Sequence, residues 1–157
     1  MVARTITKDF LDKNRVKYQI IRHRPSYTAQ ETAAEAHIPG DEVAKVVMVK
    51  HQGEFIMVVL PASMRVDLDA IQDVLHSAQH PTLAEEHEFA GLFPDCETGA
   101  EPPFGNLYNL PVIVDEHLAE DPEIAFNAGN HQELLLMAYE DFDKLVHPQL
   151  AQVSRKD

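Results

Sequence analysis

A lysine inside a run of valines is a candidate anion-binding group. Lys45 is the third residue of the segment from Val43 to Val49. Because side chains alternate along a β-strand, a strand here would place Lys45 on the same face as Val43 and Val47. A lysine on an apolar face needs a partner or a route to water. Lys45 therefore either holds a phosphate or carboxylate at the mouth of a pocket, or extends to solvent from the strand end.

A proline-rich loop bracketed by two glycines is the second candidate. Its sequence is Gly99-Ala-Glu-Pro-Pro-Phe-Gly105. Prolines stiffen the backbone, and glycine adopts conformations that other residues avoid. A stiff loop with free N–H groups can hold a carbonyl oxygen or stabilise an oxyanion. The alternative interpretation is a rigid connection between a helix and a strand.

A histidine at the end of a predicted strand is the third candidate. His131 follows Gly129 and Asn130 directly after the apolar run that ends near position 128. Residues in loops at strand ends often line clefts, although many are only turn residues. His131 is therefore predicted either to line a cleft or to serve the turn alone.

The other metal-binding and nucleophilic side chains form weaker patterns. His76 and His80 stand four residues apart and His87 follows, but no HExxH pattern is present. These histidines define an alternative hypothesis, a metal-dependent hydrolase. The single cysteine, Cys96, has no base beside it in sequence, and no glycine-rich phosphate-binding signature occurs. We expect neither a cofactor nor a resident metal.

The charge is distributed unevenly along the chain. The net charge of the 157 residues is −13, yet residues 1–24 carry seven basic and two acidic side chains. This segment is either an ordinary solvated helix face or a local contact for an RNA backbone, because phosphate contacts require lysine and arginine. The basic residues chosen as the RNA contact are Arg4, Lys8, Lys13, Arg15 and Lys17.

The pattern of apolar, turn and capping residues predicts short helices and strands within one domain, residues 1–157. Predicted helices cover about 6–14, 28–38, 67–76, 82–93 and 141–146, and predicted strands cover about 18–21, 43–50, 55–60, 111–114, 123–128 and 134–138. A hairpin turn is predicted at 51–54 and a loop at 94–110. Without regular βαβ units, this order predicts an α+β fold with a mixed, curved sheet flanked by helices. No apolar run reaches the roughly 20 residues of a membrane span, so we expect a cytoplasmic protein without membrane contact.

Four segments, taken together and in this order, resemble the YbaK / prolyl-tRNA-synthetase-associated editing-domain family. They are Ala44-Lys45-Val-Val-Met-Val49, Leu60-Pro61-Ala62, the loop from Gly99 to Gly105, and Phe126-Asn-Ala-Gly-Asn-His131 with the apolar run after it. The resemblance implies a YbaK-like fold, with a mixed sheet curved toward a barrel. It also implies a hydrolase that acts in trans on mischarged aminoacyl-tRNA and removes a small amino acid such as alanine or cysteine.

The resemblance implies roles for individual residues. Lys45 and Gly99 would be the catalytic groups, with Lys45 anchoring the terminal phosphate and Gly99 orienting the ester carbonyl through backbone amides. Substrate-binding roles would fall to Thr28, Ala100, Pro103, Gly129 and His131. The family generally lacks a protein nucleophile, and the ribose hydroxyl of the substrate helps to activate water. The basic N-terminal segment would then meet the acceptor end of a tRNA, and a synthetase is a second expected partner.

One departure from the family pattern keeps an alternative open. Val46 follows Lys45, where many relatives carry a small polar residue. A catalytically idle module would use the same pocket to sense an amino acid or an aminoacyl end, or to dock on a synthetase. Hydrolysis of a mischarged tRNA would separate the enzyme from this module.

Overall fold

The structure, a computed structural model, describes residues 6–127 and 129–156. Helices in these residues are α1 (Ile6–Lys13), α2 (Ala29–Ala36), α3 (Leu68–Val74), α4 (Glu86–Phe89), α5 (Glu116–Ala119) and α6 (Tyr139–Val146). Strands are β1 (Tyr18–Arg22), β2 (Ala44–His51), β3 (Glu54–Pro61), β4 (Met64–Val66), β5 (Thr82–Leu83), β6 (Val112–Asp115), β7 (Glu123–Asn127), β8 (Glu133–Ala138), β9 (Gln149–Ala151) and β10 (Ser154–Lys156).

The hairpin of β2 and β3 forms the centre of the fold. The two strands pair antiparallel from Ala44 opposite Pro61 to His51 opposite Glu54. The two turn residues, Gln52 and Gly53, have φ angles of 52° and 81°. Positive φ at both positions belongs to the type I′ turn, whose twist matches that of the paired strands. The predicted hairpin is confirmed.

The described strands form three sheets. The largest has the order β5-β2-β3-β6-β9, with parallel pairing of β3 with β6 and of β6 with β9. An antiparallel sheet has the order β1-β8-β7, and β4 pairs with β10. An isolated parallel bridge between Val43 and Ala125 links the first two sheets. The predicted α+β class with a mixed sheet is confirmed, whereas the described strands do not close into a barrel, so the barrel-like detail stays a prediction.

The two faces of β2 pack against different parts of the core. Ala44 and Met48 belong to the main core, which also contains the buried side chains of Phe104 and Phe126. Val49 belongs to a second cluster, with Ile71 of α3. The alternation of a strand therefore separates an even-numbered face on the main core from an odd-numbered face toward α3.

The segment after Pro81 differs from the prediction. A helix starting at a Thr82 capping box is wrong, because Thr82 instead pairs with Lys50 as part of the edge strand β5. The helix α4 begins later, where Glu85 and Glu88 form a capping box of their own. Since a capping box needs only two residues three apart, the nearby glutamates supply it once Thr82 is extended.

Other differences concern very short elements. The predicted loop 94–110 contains a 3-10 turn at Gly105–Tyr108. The three-residue strands β4, β9 and β10 were not predicted from the sequence. Strands of this length show too little alternation to be detected, and their partners are distant in sequence. No helix in the described part of the chain is long and apolar enough to cross a bilayer.

Candidate active site

Backbone hydrogen bonds join the proline-rich loop to the turn after β7. The N–H of Glu97 donates to the carbonyl of Gly129 at 2.7 Å, and the N–H of Gly129 donates to the carbonyl of Ala100 at 3.0 Å. Two segments that are about thirty residues apart in sequence therefore meet edge to edge. This contact brings together the predicted site residues Gly99, Ala100 and Gly129.

Three contacts hold His131, two from the residues just before Gly99 and one from Tyr27. Its backbone N–H donates to Oε1 of Glu97 at 3.0 Å, and its Nε2 lies 3.0 Å from the carbonyl oxygen of Thr98. The ring of Tyr27 packs on the imidazole, with 4.7 Å between ring centroids. Because a carbonyl oxygen only accepts, Nε2 must carry a proton, which leaves Nδ1 as the acceptor of the neutral ring. His131 is 8% exposed and has a fixed orientation.

Gly99 occupies a position that suits only glycine. Its φ angle is +92°, a region that residues with a side chain rarely adopt. A Cβ placed on Gly99 would lie 3.3 Å from Cε1 of His131 and 3.8 Å from Oε1 of Glu86. The backbone of the loop therefore lies close to the edge of the imidazole that carries Cε1 and Nε2.

Two loop amides that could hold a carbonyl oxygen, those of Gly99 and Ala100, are already hydrogen-bonded in this structure. The N–H of Gly99 donates to Oε2 of Glu101 at 2.8 Å, and the N–H of Ala100 donates to the carbonyl of Glu97 at 3.0 Å. Glu101 is 6% exposed, and burial raises the pKa of its carboxyl group, while the Gly99 N–H opposes that shift. Pro103 is buried, so it shapes the loop from the inside.

Thr28 positions the start of α2 beside His131. Its hydroxyl accepts the N–H of Glu31 at 3.1 Å and caps the helix. Two residues earlier, the N–H of Ser26 donates to the carbonyl of His131 at 3.1 Å. The predicted capping box region is therefore attached directly to the turn, and Thr28 itself is exposed.

The bridge between β2 and β7 fixes the position of Lys45. Val43 is the parallel bridge partner of Ala125, which places the start of β2 beside β7, the strand that leads to Gly129. The side chain of Lys45 lines a cleft of about 470 Å³ together with Arg65, among others. The described residues that line this cleft include neither Gly99 nor His131. The strand that carries Lys45 thus begins beside β7, while the side chain of Lys45 borders a separate cleft.

Two residues near Lys45 differ in their surroundings. Val46 packs against the main core, on the opposite face of β2. Asn127 is a site candidate that the sequence did not single out. Its side-chain oxygen is buried and has no hydrogen-bond partner among the residues that the structure describes. A buried acceptor of this kind marks a place where a donor from a ligand could bind, and an asparagine at a strand end gives no sequence signal for it.

The predicted RNA contact is wrong for Lys8. Lys8 is 4% exposed, and its Nζ lies 3.4 Å from Oε1 of Glu133. The side-chain N–H of Asn130 donates to the same oxygen at 2.8 Å. Because lysine is rarely buried without a partner, this pair explains the position of Lys8, which braces the 129–131 turn instead of facing solvent. Lys13, Arg15 and Lys17 are exposed, and Arg4 lies outside the described residues.

The nucleophilic and metal-binding alternatives receive no support from the described geometry. Burial raises the pKa of the Cys96 thiol to about 12, with the Tyr108 hydroxyl opposing the shift and Asp95 adding to it. His80 pairs with Asp69, and His87 pairs with Glu85. Residues 6–127 and 129–156 contain no group of three or more side chains placed to hold a metal ion.

Comparison with known proteins identifies the family. The family model of the aminoacyl-tRNA editing domain matches residues 23–145, which contain Lys45, Gly99 and His131. The prolyl-tRNA editing protein ProX of Acetoanaerobium sticklandii is 25% identical over 142 residues, which cover 87% of this chain and 85% of that protein.

Solved structures share the fold. The hypothetical protein APE2540 matches with a TM-score of 0.84 at 20% identity, covering 95% of this chain and 99% of that one. A candidate trans-editing enzyme for prolyl tRNA synthetase matches with a TM-score of 0.78 at 19% identity, covering 95% and 94% of the two chains. The family model matches more than half of the chain, which confirms the predicted resemblance. The chain therefore belongs to the aminoacyl-tRNA editing domain family.

Proposed function

We propose that this chain hydrolyses, in trans, the ester that links a wrongly attached small amino acid to a tRNA. The observation that supports this most is the contact of the Gly99 loop with His131, beside the strand that carries Lys45. The site combines a glycine backbone, a fixed imidazole and a nearby cation within the region that matches the editing domain. Alanine and cysteine are the proposed amino acids, and the relative named as a prolyl-tRNA editing protein makes proline tRNA the first tRNA to test.

The proposed mechanism holds the ester for attack by water and uses no protein nucleophile. An aminoacyl ester is already activated, so orientation and a modest electrostatic contribution suffice for catalysis. A Cys96 thiol with a pKa of about 12 does not supply a thiolate near neutral pH. The Ser26 hydroxyl is buried and bonded to Thr32 at 2.7 Å. The hydroxyl of the substrate ribose, the group that the family resemblance implies, is the proposed group that helps to activate the water.

Each end of the substrate has a proposed contact. Lys45 binds the phosphate of the terminal nucleotide, since its ammonium group is a compact charge on a flexible stem. The ester carbonyl accepts the N–H of Gly99 in place of the Glu101 carboxylate, which now lies 2.8 Å from that nitrogen. The α-ammonium group of the amino acid donates to the buried side-chain oxygen of Asn127.

The amino-acid pocket is proposed to be small because His131 closes it. The imidazole is hydrogen-bonded to Thr98 and packs against Tyr27, so a larger side chain would have to displace it from both contacts. A pocket of fixed shape discriminates one methylene by about 1–3 kcal/mol, which is a reason for separate editing sites. Alanine is therefore preferred over the larger proline.

A second function, binding without turnover, is favoured by one observation. The loop amides of Gly99 and Ala100 are already bonded within the chain. If Glu101 does not release the Gly99 N–H, the amide proposed to bind the ester carbonyl is not available to an oxyanion. The chain would then sense an aminoacyl end or dock on a synthetase.

A panel of mischarged tRNAs tests the proposal. We expect wild-type protein to deacylate alanyl- or cysteinyl-tRNA specific for proline, and Lys45→Ala to lose about two orders of magnitude in kcat/KM, as for loss of one preorganised electrostatic contact. Lys144→Ala is the control, because it removes an exposed charge on α6. Absence of deacylation above background, together with calorimetric binding of the same substrates, would establish the binding module instead.

A further inference from the structure

An exposed tyrosine packs against the histidine of the candidate active site. The ring of Tyr27 lies on the imidazole of His131 with 4.7 Å between ring centroids and 45° between ring planes. The two residues differ in exposure, because His131 is 8% exposed and Tyr27 is 71% exposed. One side of the tyrosine ring therefore contacts the site, while most of the ring is open to solvent.

Hydrogen bonds on both sides of Tyr27 hold its backbone in place. The N–H of Ser26 donates to the carbonyl of His131 at 3.1 Å, and the Ser26 hydroxyl lies 2.7 Å from Oγ1 of Thr32. After Tyr27, Thr28 caps α2, and its carbonyl accepts the Thr32 hydroxyl at 2.9 Å. Because tyrosine has few rotatable side-chain bonds, a ring on such a fixed segment binds a ligand at low entropic cost.

The surroundings of Tyr27 differ from the apolar patch of a protein interface. The exposed residues near it in sequence include Arg24, Thr28 and Gln30, which are polar. Surfaces that bind proteins expose contiguous apolar area, which these side chains interrupt. A single open aromatic ring beside a polar site instead suits stacking on a nucleobase, because the unpaired bases of RNA are bound on aromatic side chains.

The charges around the site favour a neutral part of the nucleic acid at this position. Oε1 of Glu97 accepts the N–H of His131 at 3.0 Å. Oε2 of Glu101 accepts the N–H of Gly99 at 2.8 Å, and Oε1 of Glu86 lies 3.8 Å from a Cβ placed on that glycine. Carboxylates repel phosphate groups, and the chain carries a net charge of −13. A base is uncharged, so stacking holds an RNA end here without opposing these groups.

We infer that Tyr27 stacks on the base of the terminal adenosine of the tRNA and so positions the aminoacyl ester at the site. The inference rests on the proposed function and deepens it by assigning the residue that recognises the end of the nucleic acid. In an aminoacyl-tRNA, only the terminal ribose separates this base from the ester. A base on the open side of Tyr27 therefore places the ester beside His131, which is bonded to the loop just before Gly99.

A thermodynamic cycle between the tyrosine ring and the base tests the inference. Binding of uncharged proline tRNA, and of the same tRNA with an abasic terminal nucleotide, is measured by fluorescence anisotropy for wild type and Tyr27→Leu. Loss of the base is expected to weaken binding to wild type about 5- to 150-fold, the range for one stacked base. The same loss should weaken binding to Tyr27→Leu by less than about twofold. A purely structural role of Tyr27 would instead weaken both tRNAs equally and leave the effect of the base unchanged.

Two further measurements separate stacking from other contacts. Tyr27→Phe keeps the ring and is expected to retain the wild-type sensitivity to the base. Phosphate contacts weaken as salt rises, whereas stacking releases no counterions, so the effect of the base should stay within about twofold between about 50 mM and about 200 mM salt.

A fluorescent variant reports directly on the ring. The chain contains no tryptophan, so Tyr27→Trp introduces a single fluorophore at this position. Its emission should be quenched by the intact tRNA and far less by the abasic one. Leu150→Trp, at an exposed position of the edge strand β9, is the matched control and should respond equally to both tRNAs.

Four results would overturn the inference. They are equal affinity of wild type for both tRNAs, an undiminished effect of the base in Tyr27→Leu, the same base-dependent quenching in Leu150→Trp, and an absence of tRNA binding by wild type. AMP is titrated in parallel, and affinity as high as that of tRNA would instead assign the ring to a free nucleotide. Because neither tRNA carries an ester, the cycle is independent of hydrolysis. Coupling without deacylation supports this inference and refutes the proposed hydrolysis, whereas deacylation without coupling refutes this inference alone.

Discussion

Nε2 of His131 lies 3.0 Å from the carbonyl oxygen of Thr98, the residue that precedes the glycine of the proline-rich loop. This bond determines the orientation and tautomer of the imidazole, because a carbonyl oxygen requires a donor. The same carbonyl belongs to the peptide bond whose nitrogen is that of Gly99, which donates to Glu101 at 2.8 Å. One peptide unit therefore links the histidine to the amide proposed to bind the ester.

Gly99→Ala is expected to disrupt both the loop and the activity. A side chain at φ +92° is strained by about 1–3 kcal/mol, and the new Cβ would press on the imidazole of His131 at 3.3 Å. We expect a decrease of that size in the free energy of unfolding and a loss of about 10²-fold in deacylation, as for a misplaced reacting group.

Gly53→Ala is the matched control for that substitution. Gly53 has a similar φ of +81°, but nothing lies within 4 Å of a Cβ there. It should lose similar stability in urea unfolding and keep full activity. Wild-type deacylation by Gly99→Ala would show that the close approach to His131 has no functional role.

Lys8→Met is expected to destabilise the chain by about 3 kcal/mol, because it leaves a buried glutamate without its ion-pair partner. Glu133 is almost fully buried, and Arg22 approaches its other oxygen at 3.8 Å from an exposed position. The double variant Lys8→Met/Glu133→Gln should recover part of the loss, which a double-mutant cycle in urea measures.

Lys13→Met on the exposed side of the same helix is the control, with an expected change within about 0.5 kcal/mol. Equal stabilities for Lys8→Met and Lys13→Met would contradict the buried ion pair. The cycle also reports on the 129–131 turn, since Asn130 shares the same carboxylate oxygen.

Glu101→Gln is expected to change how stability depends on pH. Burial raises the pKa of Glu101 above its usual value of 4.5, so the folded chain keeps this proton to a higher pH than the unfolded chain does. Stability from this group is therefore greatest at low pH and decreases as pH rises above 4.5 toward the folded pKa. The glutamine variant removes that decrease and still offers an acceptor to the Gly99 N–H.

Urea unfolding between about pH 4 and pH 8 measures the effect. Glu54→Gln, at an exposed hairpin position, removes the same charge and serves as the reference. We expect the difference between the Glu101→Gln variant and wild type to grow in favour of the variant as pH rises. A difference that is independent of pH would refute the raised pKa.

Cys96 is expected to resist alkylation in the folded protein. With a pKa of about 12, only a minute fraction of the thiol is ionised at pH 8, and the thiolate is the reactive form. Iodoacetamide should modify native protein far more slowly than the same protein in urea, with mass spectrometry as the readout. Deacylation should persist in Cys96→Ser. Loss of deacylation in this variant would show that the thiol takes part in the reaction.

Local sequence was sufficient to predict those elements whose conformation depends on residues adjacent in the chain. The type I′ turn follows from Gln52 and Gly53 between two β-rich runs, and the cap of α2 follows from Thr28. The prediction was wrong at Thr82, where a capping-box pattern for a helix competed with an extended conformation. Thr82 instead belongs to an edge strand and pairs with Lys50. This pairing with β2 is a long-range contact, which a local sequence motif does not indicate.

The candidate site shows the same division. The glycine and proline spacing of the loop, the lysine within the valine run and the histidine after β7 are visible in the sequence. The buried pair of Lys8 with Glu133 is not visible, because α1 and β8 are joined only by tertiary packing. The unpaired buried oxygen of Asn127 and the opposed arginines of β4 and β10 also depend on tertiary packing, so the sequence does not indicate them.

The sequence by itself therefore determined the family, the α+β class and the residue types of the site, since these depend on local pattern and order along the chain. Only the tertiary structure decided that Gly99 meets His131, that Glu101 occupies the Gly99 amide, and that the side chain of Lys45 faces a cleft with Arg65. These relationships join residues far apart in sequence, and their distances are set by sheet register and packing, which local propensity does not encode.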